Sequence, residues 1–246
     1  MSSRTLEESV IWHDVECAAY AVDLDVWHRL ARERPGPLLD LGCGTGRVGL
    51  DLAARGVDVT GVDSDPALVS ALAARARERC LRVRTAVADA RSFELARPFA
   101  LVIAPMQVVQ LLGGASGRSA MLRRVRRHLE PGGLFAAALA DPFDGVPDDD
   151  VLPPLPDVRE QDGWVFSSTP VGVQPGRGAT VIERLRQAVS PSGELTASVA
   201  LIKLDRVDPG ELESEAERMG YRALPRRLVP ETEGYVGSTV VVLEAV

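Results

Sequence analysis

One lysine, Lys203, stands among the 28 basic residues of this 246-residue chain, which also has only three cysteines, three histidines and 4% aromatic residues. Cys17, Cys43 and Cys80 are odd in number, far apart and outside any C-x-x-C or histidine spacing. That excludes a disulfide framework and gives no support to a zinc site, so no metal is expected. No apolar run reaches the ~18 residues that a membrane helix needs, and Met1–Glu8 contains no apolar stretch of signal-peptide length. The expectation is a cytoplasmic protein with no membrane partner. A net charge of −7 argues against broad nucleic-acid binding as well. The shortage of lysine beside so much arginine reads as a composition bias without functional content.

What the chain does have is a core and a loop of glycines. At 46% hydrophobic and 26% charged it can bury one sizeable core, in one domain with an insertion. Pro37–Leu41 reads as a buried strand, which breaks into Gly42, Gly44 and Gly46 before apolar periodicity resumes at Val48, Leu50 and Leu52. The pattern is strand, glycine turn, helix. Glycines let the backbone take positive φ and let a ligand lie against it, and the helix's first N–H groups point into the same space. Such a turn holds the polar end of a cofactor.

Gly44-Thr45-Gly46-Arg47-Val48-Gly49 also satisfies the dinucleotide pattern G-x-G-x-x-G, but that match begins two residues after the turn, and Asp40 sits at the strand's end. A carboxylate there repels a pyrophosphate and suits a cation. Leu39-Asp40-Leu41-Gly42-Cys43-Gly44-Thr45-Gly46 resembles the first motif of the class I S-adenosylmethionine-dependent methyltransferases. Asp63, at the end of the next strand (57–62), suits ribose hydroxyls in either family, while Asp65 before Pro66 reads as a helix cap. The resemblance continues at Asp89 and Ala90, the positions that hold the adenine, and at Leu129-Glu130-Pro131-Gly132-Gly133-Leu134-Phe135, read as a turn into strand 5. It implies S-adenosylmethionine as cofactor, held by Tyr20, Asp40, Gly42, Cys43, Gly44, Gly46, Asp63, Ser64, Asp89, Ala90 and Ala104.

After strand 4 (99–104) such enzymes, when they act on amino groups of bases or glutamine, often carry Asn/Asp-Pro-Pro-Tyr. This chain has Ala104-Pro105-Met106-Gln107, which lowers the odds of those targets. Met106 and Gln107 are expected to face the transfer site, with Asp141 and Trp164 as further substrate candidates. No His/Asp pair announces a general base; His13, just ahead of a helical arm over residues 14–33, is the best placed of the histidines. Tyr20 and Trp27 are the arm's aromatic candidates, with packing as the rival role for each. Arginines 118, 123, 124, 126 and 127 on the helix 119–128 read as a solvated face, and His128 as a helix-end residue.

Residues 141–156 are rich in Asp and Pro, and three alternating segments (163–170, 179–190, 195–206) follow as an antiparallel meander, a lid or a dimer surface. The expected fold is α/β: a Rossmann-like methyltransferase sheet of seven strands, the last antiparallel between strands 5 and 6. The units are a helical arm (1–36), a cofactor-binding core (37–140), the β insertion (141–207) and a C-terminal helix with strands completing the sheet (208–246). The expected activity is in-line methyl transfer to a small or medium-sized acceptor, with O, N or C left open and a homodimer through the insertion as a candidate assembly. Two alternatives stand beside it, a non-catalytic adenosyl-binding protein on the same fold and an NAD-dependent oxidoreductase.

Overall fold

The computed structural model describes residues 3–140, 155–232 and 235–246, with side chains from residue 8 onward; Asp141 falls outside them. Two helices, α1 (Ser3–Cys17) and α2 (Leu24–Glu33), precede the first strand. Then β1 (Leu38–Leu41), α3 (Arg47–Ala54), β2 (Val59–Asp63), α4 (Pro66–Glu78), β3 (Val83–Val87) and β4 (Phe99–Ala104) alternate. A 3₁₀ turn at Val108–Leu111, α5 (Ala115–His128) and β5 (Leu129–Leu139) follow. Four strands come next, β6 (Asp157–Gln161), β7 (Trp164–Pro175), β8 (Ala179–Val189) and β9 (Leu195–Asp205), and the chain returns through α6 (Pro209–Glu217), β10 (Tyr221–Val229) and β11 (Ser238–Ala245).

The core sheet runs β10-β11-β5-β4-β1-β2-β3. All neighbours are parallel except β11, which is antiparallel to both β5 and β10. That placement of β11 is the expected one. Every residue of β1 and β4 is buried, because helices cover both faces of a parallel sheet and a strand there is apolar throughout. Trp27 and Leu30 of α2 seal one face, so Trp27 packs and its indole N–H donates to Asp23 at 2.8 Å. Asp65 caps α4 as expected, accepting from the Ala67 amide at 2.8 Å with Pro66 behind it.

Four details differ from the sequence reading. Helix α1 begins ahead of His13 and contains it; its buried side carries Asp14 beside Trp12 and Val15, so apolar periodicity understates the helix. Pro131-Gly132-Gly133 is a bulge inside β5 rather than a turn before it, since Phe99 pairs with Leu129 and Leu101 already pairs with Leu134. The second sheet, β6-β7-β8-β9, has a fourth strand. Gln161 pairs with Trp164 across Asp162-Gly163, both at positive φ (52° and 77°), the two-residue turn that an Asp-Gly pair favours. Arg118 is buried, with its guanidinium paired to Glu215 at 2.7 Å and Glu211 at 2.9 Å, so α5 is not solvated along all its arginines.

Candidate functional site

Gly42, Gly44 and Gly46 take φ of 73°, 53° and 97° between β1 and α3, a conformation that side chains resist. A Cβ on Gly44 would overlap the His13 ring, one on Gly42 would overlap Val108, and one on Gly46 would strike Leu72 and Leu50. The turn is therefore crowded by protein on all three, and Gly46 serves packing. The Gly44 N–H donates to Asp63 at 2.9 Å, and the other Asp63 oxygen accepts from the Asp65 amide at 3.0 Å, which fixes that carboxylate at the tip of β2.

A cavity of about 390 Å³ opens over the turn, at the carboxyl ends of the parallel strands where open α/β sheets hold ligands. The sequence candidates His13, Asp40, Gly42, Cys43, Asp63, Ser64, Asp89, Ala90, Met106 and Gln107 line it together. Asp40 lies at its floor, 1% exposed, and neither carboxylate oxygen has a hydrogen-bond partner among the described residues. Burial first, and then the negative Asp63, push its carboxyl up to about 7 against the pull of Arg47. The Gly49 backbone is its nearest polar support, and a buried carboxylate so short of donors calls for a cationic partner. The ammonium and sulfonium of S-adenosylmethionine are such groups, so the residues present fit that cofactor. Asp89 is held by Arg91, which keeps its carboxyl below the usual range and ionised as an acceptor.

Helix α1 closes the cavity. Asp14 accepts from both Arg75 guanidinium nitrogens on α4 and from the Thr45 hydroxyl at 2.7 Å. Glu16 accepts from Arg186 of β8 at 2.7 and 2.9 Å and from the Ser168 hydroxyl of β7 at 2.8 Å. One helix is thus pinned to the core and to the second sheet from two sides of a single turn. His13 lies between them, its Nδ1 3.4 Å from Thr45 Oγ1, and burial outweighs Asp14 and Asp63 in lowering its pKa, so it is neutral at pH 7.

Tyr20, Gly44, Gly46, Ala104 and Trp164 are not among the residues lining the cavity. The Tyr20 ring packs between the Arg47 guanidinium, 5.0 Å from its centroid, and Tyr235 at 4.9 Å. Ala104 is sealed at the end of β4, paired to Ala137, and Trp164 stacks on Phe166 in the small cluster that also holds Trp12. Both Tyr20 and Trp164 thus take the packing role. Residues that the sequence reading missed include Cys17, whose thiol burial pushes up to about 12, and Arg47, paired to Asp23 at 2.6 Å. Arg47 follows the glycine run directly, and its position was the available signal.

Met106 carries the one local strain in this wall, a non-glycine residue at φ 56° just after Pro105. Behind the 3₁₀ turn lies a second cavity of about 920 Å³. Val108 and Leu111 of that turn face the first cavity and Gln110 the second, where its side chain bonds the Ala140 backbone at 2.8 and 3.0 Å. Asp205, Asp208, Glu211 and Glu231 line this second space against the single guanidinium of Arg206. Thr180 also faces it, 1% exposed, with its hydroxyl unpartnered among the described residues.

Residues 38–133 match the family model described as a methyltransferase domain. No curated protein matches the sequence. Among solved structures, an S-adenosylmethionine-dependent methyltransferase from Clostridium acetobutylicum superposes with a TM-score of 0.75 at 14% identity, over 99% of each chain. The sugar N-methyltransferase KedS8 from Streptoalloteichus does so at 0.74 and 21%, over 94% of this chain and 91% of that one. CalS10, an amino pentose methyltransferase from Micromonospora echinaspora, gives 0.69 and 21% over 93% of each. The chain has the fold of the class I S-adenosylmethionine-dependent methyltransferases, and residues 38–133 are the part that matches the methyltransferase-domain model.

Proposed function

We propose that the chain transfers a methyl group from S-adenosylmethionine to the amine of a small, polar, amino-sugar-like acceptor. The observation that carries the donor half is Asp40, a buried carboxylate short of donors at the floor of a cavity with Asp63 and Asp89 farther along its wall. Bound there, the donor supplies a methyl on a positively charged sulfur. Asp40 faces its cationic end, Asp63 its ribose, and Asp89 with the Ala90 amide its adenine. His13, neutral, covers the turn without adding a second positive charge. The work left to the chain is alignment, worth about 7–11 kcal/mol when reacting atoms are well oriented.

The acceptor half rests on the first cavity, where Met106 and Gln107 lie on the wall beside the Val108–Leu111 turn. Met106 and Gln107 are the residues from which a nucleophile would be aligned, one an apolar wall and one a hydrogen-bonding guide. Two of the similar structures are a sugar N-methyltransferase and an amino pentose methyltransferase, which agrees with this choice.

The test has two stages. Calorimetric titration with S-adenosylhomocysteine, beside NAD, is expected to give micromolar binding of the former alone; binding of NAD alone overturns the donor assignment. Release of S-adenosylhomocysteine is then followed with a panel of amino sugars and their hydroxyl counterparts. Turnover of the amines supports the reading. Turnover of hydroxyl compounds alone overturns the amine, and binding without any turnover leaves an adenosyl-binding scaffold.

A further inference from the structure

Helix α1 brings one imidazole into the cofactor cavity, and counting protons fixes its tautomer. Asp14 beside it is 3% exposed, and although burial opposes ionisation, Arg75 and Thr45 hold its carboxyl below the usual range. An ionised carboxylate only accepts, so the single hydroxyl proton of Thr45 goes to Asp14, at 2.7 Å. Thr45 Oγ1 then has only lone pairs to offer His13 Nδ1, 3.4 Å away. The ring proton therefore sits on Nδ1 and the lone pair on Nε2.

Nε2 is the ring atom nearest the glycine turn, and a Cβ on Gly44 would fall 2.1 Å from it. The Gly44 amide in turn holds Asp63. In S-adenosylmethionine the sulfur joins the ribose, assigned to Asp63, to the amino-acid end, assigned to Asp40. Nε2 thus borders the stretch of cavity between those two aspartates.

We infer that His13 Nε2 takes the proton that the acceptor nitrogen must lose, with Thr45 and Asp14 as positioning residues that hold the ring in the tautomer for it. The inference rests on the amine reading of the proposed function. An alkylammonium has no lone pair, and at pH 7 only about one such amine in a thousand or fewer is free base. Passing one N–H proton to Nε2 leaves a pair that forms the N–C bond while the C–S pair returns to sulfur. The products are an N-methylammonium, a neutral thioether and an imidazolium that gives its proton to water. The charges that reach the ring are Asp14 and Glu16 on its own helix, Asp63 at the tip of β2 and Arg75 on α4. Burial, with Arg75, outweighs the three carboxylates, so the ring is free to accept at neutral pH.

The test compares the wild type with His13→Asn and Thr45→Val. With an amino sugar that is turned over, wild-type kcat is expected to be flat from about pH 7 to 9 and to fall below about pH 6.5. His13→Asn should lose about 100-fold at pH 7 and regain about tenfold per pH unit as the amine supplies its own lone pair, with S-adenosylhomocysteine affinity retained. Nitrogen-15 NMR of the ring, with S-adenosylhomocysteine and no acceptor, is expected to show the Nδ1–H tautomer in the wild type and a mixture in Thr45→Val. A His13→Asn variant with wild-type kcat at pH 7 or a profile parallel to the wild type overturns the inference and leaves the proposed function standing. An Nε2–H tautomer, or loss of S-adenosylhomocysteine binding in His13→Asn, also overturns it. A wild type that methylates no amine overturns the proposed function and this inference with it. If His13→Asn fails to fold, the wild-type pH profile and tautomer decide.

Discussion

Every residue of β1 and β4 is buried, whereas no strand of the second sheet has more than two buried residues, and the first five of β9 are all exposed. The core sheet is held by apolar area on both faces. The second sheet is held on one face by ion pairs to α1 and by the small cluster of Trp12, Phe166 and Ala188, while Leu195, Val199 and Leu201 on its other face are exposed. The two sheets therefore depend unequally on buried apolar area, and substitutions can separate them.

The largest expected effect lies in the core sheet. Phe135, fully buried on β5, should cost about 3–5 kcal/mol when replaced by alanine, read by chemical denaturation. Leu201→Ala on the second sheet should change stability by about 0.5 kcal/mol or less, since no core is lost. A large cost at Leu201 would break the contrast.

Two aspartates sharpen it through pH. Asp14→Ala removes the carboxylate that holds α1 to α4 and should cost about 2–3 kcal/mol, because Arg75 keeps some solvent after the loss. Its pKa is lowered by Arg75 and Thr45 against the penalty of burial. That contribution is therefore present above pH ~4 and lost as pH falls through the depressed value. Asp40 has the opposite sign. The folded state holds its proton up to about pH 7, so stability falls as pH rises from about 4 to 7 and stays low above. Asp40→Asn should then raise the melting temperature at pH 8, leave it unchanged near pH 3, and weaken S-adenosylhomocysteine binding at least tenfold. A variant that binds normally would remove Asp40 from the donor site.

A further effect concerns the wall of the first cavity. Met106→Gly relieves a positive φ and should gain about 1 kcal/mol of stability while lowering kcat, with less change in KM. Loss of both stability and turnover would mean that the Met106 side chain packs more than it aligns.

The core was legible because it obeys simple periods. Asp40 and Asp63 stand at the ends of buried parallel strands, Asp89 follows the half-exposed edge strand β3, and the glycine turn announces itself by composition. The second sheet was less so. Asp162-Gly163 is a two-residue hairpin signal, but the strand ahead of it, Asp157–Gln161, has one apolar residue in five and so no visible alternation. The tie between α1 and this sheet was unreadable for another reason. Asp14, Glu16 and Arg186 are ordinary charged residues until folding brings them together. Tyr20 and Trp164 show the same limit from the other side, since an aromatic that packs and one that touches a ligand are written with the same letter.

Glu16 and Arg186 are 170 positions apart. During synthesis the glycine turn, β2 and the adenine-side residues through Ala90 leave the ribosome well before β8 exists. For that interval half of the α1 clasp has no counterpart, and the nascent chain displays the cavity with its cover tethered through Asp14 alone. Arrival of Arg186 completes the clasp.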